Sequence, residues 1–266
     1  MKELTNAYSL NDLISLFLEL GIKKDYDLLF HTSLSSFGTI IGGSQTFLDA
    51  LIEAVGNGVL LTPYQCSIRG EPASFLYPPL SLELQKKWRE EMPAFDPLKT
   101  DAYHMSITSS SLLRREGAIL SNSPINPFVL FGKDKELYKG KSDLAFSLGK
   151  DSPLDVLLKR DGYILLAGVD YDNMTALHFC EYESKYRPLI IDGTAIKENN
   201  EKIFKSYLER DLDSDDGHFM AIGKRLEKNN KVKMIPLIKG NLKLIQMKDA
   251  YYEAMNYFKE IDPYHK

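Results

Sequence analysis

The stretch YDLLFHTSLSSFGTIIGGSQTFLDALIEAVGNGVLLTP, residues 26–63, decides how the rest of the chain is read. Tyr26 to His31 is a short apolar run of the kind a buried strand carries. Phe47, Leu48, Leu51, Ile52 and Val55 recur at helical spacing and stop at Gly56. Val59 to Thr62 is a second apolar run, closed by Pro63. Strand, loop, helix and strand in that order form a βαβ unit, which implies parallel strands with covered faces. Between the first strand and the helix lie Ser33, Ser35, Ser36, Gly38, Gly42 and Gly43. Hydroxyls, open backbone and unsatisfied helix amides coincide there, a combination that suits phosphate or an extended amide-bearing ligand. The same residues also make ordinary turns. The spacing fits neither GxGxxG nor GxxxxGK[ST], so neither a nicotinamide site nor a Walker loop is supported.

Outward from this unit, Ser9 to Asp12 caps a helix with Leu13, Ile14, Phe17 and Leu20 on one face and Gly21 at its end. The region from Cys66 to Thr100, rich in proline and aromatics, reads as a long excursion with one helix around Leu82 to Glu91. Asp161-Gly162 feeds the run Tyr163 to Val169, expected to be a central strand. Met174 to Glu183 reads as a helix, Leu189 to Ile191 as a strand, Val232 to Ile238 and Leu242 to Met247 as two more, and Asp249 to Glu260 as a last helix. With 266 residues, 44% of them hydrophobic, and no convincing linker, one domain spanning residues 1–266 is expected.

The charge balance, 33 Lys and Arg against 37 Asp and Glu, provides no basic field for nucleic acid or an anionic membrane. No run approaches the roughly 18 apolar residues of a membrane span, and Met1 to Asp12 lacks the pattern of a signal peptide, so a cytoplasmic protein is expected. The two cysteines, Cys66 and Cys180, suit neither a disulfide framework nor structural zinc.

A second constellation is Thr175-Ala176-Leu177-His178-Phe179-Cys180-Glu181. On a helix His178 and Glu181 share a face, whereas Cys180 points elsewhere, which disfavours a Cys180–His178 nucleophile pair. A histidine with an adjacent carboxylate is suited to act as a base at neutral pH. The same pair also serves as a plain surface or core hydrogen bond, and a metal site needs more ligands than the segment offers.

Taken together, FHTSLSSFGTIIGGSQTFLDALIEAVGNGVLLTP and SPLDVLLKRDGYILLAGVDYDNMTALHFCE, with WREEMPAFDP between them, closely resemble the aminoglycoside 3-N-acetyltransferase family over most of the chain. The resemblance implies an α/β fold with a mixed or mostly parallel central sheet flanked by helices. It also implies acetyl transfer from acetyl coenzyme A (acetyl-CoA), as co-substrate and without a metal, to the 3-amino group of an aminoglycoside. By position, His31, Ser33, Leu34, Ser35, Ser36, Gly42 and Gly43 fall where the family holds coenzyme A, and His178 falls on its catalytic histidine with Glu181 orienting it. The implied mechanism is direct transfer, with His178 taking the proton of the amine and donors of the Ser33 to Ser36 turn holding the thioester carbonyl. Tyr64, Thr175, Asp213 and Asp216 are the expected acceptor-side residues, the aspartates because a polycation calls for carboxylates; the acidic run is equally a solvated loop.

The chain departs from the family at Leu120-Ser121-Asn122-Ser123-Pro124-Ile125-Asn126-Pro127, where Arg-Ser-x-His-Pro and a later serine are usual, at Met105-Ser106 in place of Met-Gly, and at Tyr64 in place of a smaller hydroxyl residue. The first departure favours another amine, such as an amino sugar in polysaccharide or antibiotic synthesis, as the acceptor. A binding protein that keeps a coenzyme A or sugar site without turnover is a third reading, and retention of His178 and Glu181 argues against it. The expected partner is a small-molecule amine, with no nucleic acid and no membrane; a homodimer stays open.

Overall fold

A computed structural model describes residues 7–64, 70–96, 99–100, 107–212 and 217–262. Helices are α1 (Leu10–Leu20), α2 (Gly43–Val55), α3 (Leu82–Glu91), α4 (Ile107–Leu113), α5 (Pro153–Lys159), α6 (Ala176–Ser184), α7 (His218–Lys228) and α8 (Met247–Ile261). Strands are β1 (Leu28–Thr32), β2 (Leu60–Pro63), β3 (Ile119–Leu120), β4 (Phe128–Phe131), β5 (Tyr163–Ala167), β6 (Leu189–Glu198), β7 (Glu201–Arg210), β8 (Val232–Pro236) and β9 (Asn241–Gln246). Helix α1 begins with a complete capping box between Ser9 and Asp12 and ends at Gly21 in the left-handed conformation, as the local sequence predicts.

Seven strands form one sheet in the order β3-β4-β2-β1-β5-β9-β8. The expected βαβ unit is present, since β1 pairs in parallel with β2 and with β5. Every other pairing in the sheet is antiparallel. The sheet is therefore mixed, with a parallel centre and antiparallel flanks. The run at 163–167 is indeed central, between β1 and β9.

Because side chains alternate across a strand, the sheet separates two cores. Leu28, Phe30, Leu165, Ala167, Leu242 and Leu244 face α1, α2 and α4, packing with Leu13, Phe17, Phe47, Leu51 and Leu112. Leu29, Ile164, Leu166 and Ile245 face the other way, against Leu154, Leu177, Cys180, Ala250 and Phe258 of α5, α6 and α8. His31 follows Leu29 by two residues and so belongs to the α6 side.

Strands β6 and β7 form a separate two-stranded ribbon, paired from Leu189↔Arg210 to Glu198↔Glu201. Its two-residue tip, Asn199-Asn200, has both φ values positive, the requirement of a tight hairpin turn. Helix α3 is held to the ribbon by buried Glu71, which accepts from Arg89 and from Ser206. Helix α4 is joined by hydroxyl pairs to two strand ends, Thr108 with Thr32 at 2.6 Å and Ser109 with Thr62 at 3.0 Å, and to the start of α2, Ser111 with Ser44 at 3.1 Å.

Candidate active site

Helices α2 and α6 each follow a parallel strand, so both begin at the carboxyl edge of the sheet, on opposite faces. In open α/β sheets that edge is where ligands bind. Three loops are tied together there. The Ser33 amide donates to the Ala167 carbonyl at 2.9 Å, the Ser36 hydroxyl to the Gly168 carbonyl at 2.8 Å, and the Lys239 amide to the Ser36 carbonyl at 3.0 Å.

The second constellation occupies the start of α6. His178 Nδ1 lies 2.7 Å from Glu181 Oε2, the i, i+3 geometry expected from the sequence. Glu181 is fully buried, whereas the His178 side chain retains 23% of its exposure. A buried carboxylate needs partners on both oxygens. The second partner is Arg187, itself buried, whose Nε is 2.5 Å from Glu181 Oε1. The carboxylate thus accepts from Arg187 on one side, which fixes it as an acceptor toward His178 on the other. In a neutral imidazole this arrangement puts the His178 proton on Nδ1 and the lone pair on Nε2. Phe219 of α7 closes over the imidazole, with ring centroids 4.9 Å apart. Thr175, half-buried, stands at the head of α6 and accepts the His178 amide on its carbonyl at 3.1 Å.

Cys180 is buried in the α6 core, and burial pushes its thiol well above the ordinary cysteine range. It offers no thiolate.

The structure distributes the remaining expected residues unevenly. His31, Ser33, Leu34 and Ser35 gather at the carboxyl edge, where the hydroxyls of Ser33 and Ser35 pair at 3.1 Å. Gly42 caps α2 in the left-handed conformation, and a side chain there would meet Thr46 Oγ1 at 2.3 Å. Gly43 faces open space. Ser36, also expected in the cradle, is buried and its hydroxyl braces the Gly168 carbonyl. Tyr64, expected on the acceptor side, packs in the α1, α2 and α4 core at 6% exposure with its hydroxyl toward the Thr100 carbonyl. Asp213 and Asp216 lie outside the described residues.

Two residues that sequence reading missed support this edge. Arg187 is one. It follows the end of α6 after Lys185, whose positive φ turns the chain back toward Glu181. Lys243 on β9 is the other. Buried, with Nζ 3.8 Å from the Tyr171 ring centroid and 2.6 Å from Asp170 Oδ1, it anchors the loop between β5 and α6. Among the described residues no group of three or more His, Cys, Asp or Glu is placed to hold a metal ion, and no helix is long and apolar enough to cross a membrane.

The His178–Glu181–Arg187 relay and the Ser/Gly loop both lie at the carboxyl edge of a mixed sheet, and the chain as a whole is similar to known proteins. The family described as aminoglycoside 3-N-acetyltransferase matches residues 29–259. The prophage-derived aminoglycoside N(3')-acetyltransferase-like protein YokD of Bacillus subtilis is 32% identical over 241 residues, covering 90% of this chain and 88% of the relative. Aminoglycoside N(3)-acetyltransferase IX of Micromonospora chalcea is 32% identical over 205 residues, covering 76% and 71%. The crystal structure of YokD superposes with a TM-score of 0.89 over 97% of this chain and 96% of that one, at 29% identity. The binary complex of AAC-IIIb with CoASH superposes with a TM-score of 0.84 over 96% and 97%, at 20% identity, a likeness of fold. The chain belongs to the aminoglycoside 3-N-acetyltransferase family, a family of acyltransferases.

Proposed function

We propose that this chain transfers an acetyl group from acetyl-CoA directly to an amino group of an aminoglycoside, with His178 as general base. The observation that carries this reading is the Arg187–Glu181–His178 relay, which holds one imidazole nitrogen to a buried carboxylate and leaves the other for the incoming amine.

An ammonium has no lone pair, so the acceptor first loses one proton to solvent and attacks as the neutral amine. His178 Nε2 takes a second proton from the nitrogen as the new C–N bond forms. The resulting imidazolium is stabilised by Glu181, which already accepts from Nδ1. When the C–S bond breaks with its electron pair on sulfur, His178 returns the proton to give the free thiol. Cys180 takes no part, and no acyl-enzyme forms.

The residues at the edge fit a coenzyme. Gly43 leaves open space above the start of α2, and Gly42 lets the backbone turn tightly before it. Ser33 and Ser35 carry hydroxyls at the same edge, and Leu34 supplies an apolar contact. The Micromonospora relative's name supports the acceptor class, and the AAC-IIIb complex with CoASH supports the donor.

One observation favours a different amine as acceptor. The hydroxyl of Ser123 folds back to accept the amides of Ile125 and Asn126, Ser121 accepts the amide of Phe128, and Asn126 Nδ2 donates to Ser147 at 2.7 Å. Ser121, Ser123 and Asn126 thus engage their polar groups within the protein where the family pattern has others, which favours an amine other than an aminoglycoside, such as an amino sugar. Coenzyme A thiol release across a panel of aminoglycosides and simple amino sugars, with His178→Ala as the blank, tests both readings. Release with aminoglycosides supports the first, and release with amino sugars alone supports the second. Silence from both overturns acetyl transfer.

A further inference from the structure

The geometry points to His31 as a second functional imidazole, a donor whose Nε2–H holds the acyl carbonyl oxygen while His178 takes the proton of the amine. This rests on the acetyl-transfer reading above.

Acyl transfer concentrates negative charge on the carbonyl oxygen as the amine attacks, and a site that accelerates it presents a fixed donor there. The hydroxyls of the turn are less well placed for this. Ser36 donates to Gly168, and Ser33 and Ser35 share one bond whose remaining O–H lies in the exposed part of the turn. The amides of Ser33 and Ser36 are taken by the carbonyls of Ala167 and Ser33. His31 contrasts with them. Among the described residues its Nε2 is one of two buried side-chain nitrogen or oxygen atoms without a hydrogen-bond partner. The other, Arg210 Nε, lies at the base of the ribbon, and that guanidinium already donates through Nη1 to the Arg187 carbonyl. Buried polar atoms are almost always paired, so an unpaired one at a ligand-binding edge marks a contact completed by the ligand.

The placement is specific. His31 is the fourth residue of β1, in register with Leu166 of β5. Its face of the sheet is the one that Leu29 and Leu166 share with Met174, Leu177 and Cys180 around the start of α6. His31 therefore approaches from the strand and His178 from the helix, on one side of the sheet and at one edge. Desolvation, with a smaller contribution from His178, lowers the pKa of His31 to about 3. It remains neutral while His178 becomes charged, so the two imidazoles do not repel each other at the moment of transfer.

The step balances without an additional reactant. The amine nitrogen bonds to the carbonyl carbon, and the C=O π pair moves onto oxygen, where His31 Nε2–H donates to it. His178 takes the amine proton. The pair returns from oxygen, the C–S bond breaks with its electrons on sulfur, and His178 delivers the proton to the thiolate. His31 keeps its own proton throughout.

The test uses His31→Leu and His31→Gln in the full chain, with thermal melts to show that both fold. Loss of one such donor lowers kcat roughly 100- to 1000-fold. The expected result is that fall for His31→Leu with the KM for acetyl-CoA within about threefold, and partial recovery of kcat in His31→Gln, whose amide still donates. A raised KM with kcat retained would make His31 a binding contact and overturn the proposal, as would a His31→Gln protein no faster than His31→Leu. A second readout is independent of turnover. In ¹⁵N-labelled protein, His31 should carry its proton on Nε2, and that proton should shift when acetyl-CoA is added. A deprotonated Nε2, or a signal unmoved at saturating acetyl-CoA, overturns the assignment. If the wild-type protein releases no thiol with any acceptor, acetyl transfer fails as a reading, and the ¹⁵N result alone decides whether His31 contacts the acyl group.

Discussion

Replacing Glu181 with glutamine tests the relay at the point where its logic is tightest. The side chain keeps its shape, but only one of its two heads can accept. Arg187 Nε is 2.5 Å from Oε1 and can only donate, so the amide oxygen must face it. The amide nitrogen then faces His178 Nδ1, 2.7 Å away in the native protein, and also donates. His178 must accept on Nδ1 and move its proton to Nε2, the nitrogen that is to act as base. The opposite flip sets the amide nitrogen against the guanidinium and is worse. Where a carboxylate-oriented histidine is forced into the wrong tautomer, kcat falls about 10⁴-fold. Here a fall of about 10³- to 10⁴-fold is expected, which corresponds to roughly 4 to 5.5 kcal/mol of barrier. Steady-state thiol release at neutral pH measures it, with a thermal melt to confirm that the protein is folded. A Glu181→Gln enzyme within tenfold of wild type would refute the tautomer argument and, with it, the role of His178 Nε2 as base.

Three further outcomes follow from other parts of the molecule. Cys180→Ala should keep most of its activity and remove no thiol that reacts with iodoacetamide in the folded state, because the native sulfur is buried and protonated; an inactive variant would favour a covalent route. Gly168→Ala should destabilise the fold by at least about 2 kcal/mol in urea titrations, since φ there is +77° and the new Cβ would meet Ser36 Cβ at 2.4 Å; a neutral result would mean that the loops at the carboxyl edge are not tied as described. Burial pushes the Glu71 carboxyl up, but bonds from Arg89, Ser206 and the Ala73 amide outweigh it, and the group sits below the ordinary 4.5. A depressed folded pKa adds stability above the unfolded value that is lost as pH falls through the folded one. The urea midpoint should therefore drop below about pH 4.5 more steeply for wild type than for Glu71→Gln, and equal slopes would refute the linkage.

Residues 26–63 announced their structure because strand, turn and helix each carried a complete local signature, down to the glycines that end the helices. The antiparallel flank was harder to read. Strand β3 has two residues and β4 has four, too few for a pattern to emerge. The ribbon showed itself only as Leu189 to Ile191, because its burial is confined to short stretches such as Gly193 to Ala195 and enforces no clean alternation along the strands; Asn199-Asn200, two residues between equal strands, is the local signal that marks it. Helix α7 went unread, although Phe219, Ile222 and Leu226, spaced by three and four, carry its signal. In the site, His178 and Glu181 were readable because helix geometry alone unites them. Arg187 was not, since its return to Glu181 depends on a left-handed residue beyond the helix end. The inward turn of Ser36 and the burial of Tyr64 depend on contacts 132 and 36 residues away in sequence, and no local pattern encodes those.

The three hydroxyl pairs that hold α4 have a consequence for motion. Each such bond contributes only about 0.5 to 1.5 kcal/mol net, and it exchanges readily with water when the helix lifts. Of this seven-residue helix, Leu112 supplies the fully buried apolar anchor. The hydroxyl pairs thus set where α4 sits more than how firmly it stays. Its amides should exchange with deuterium earlier than those of β1 and β5, which makes α4 an early-opening unit in a protein whose central strands remain closed.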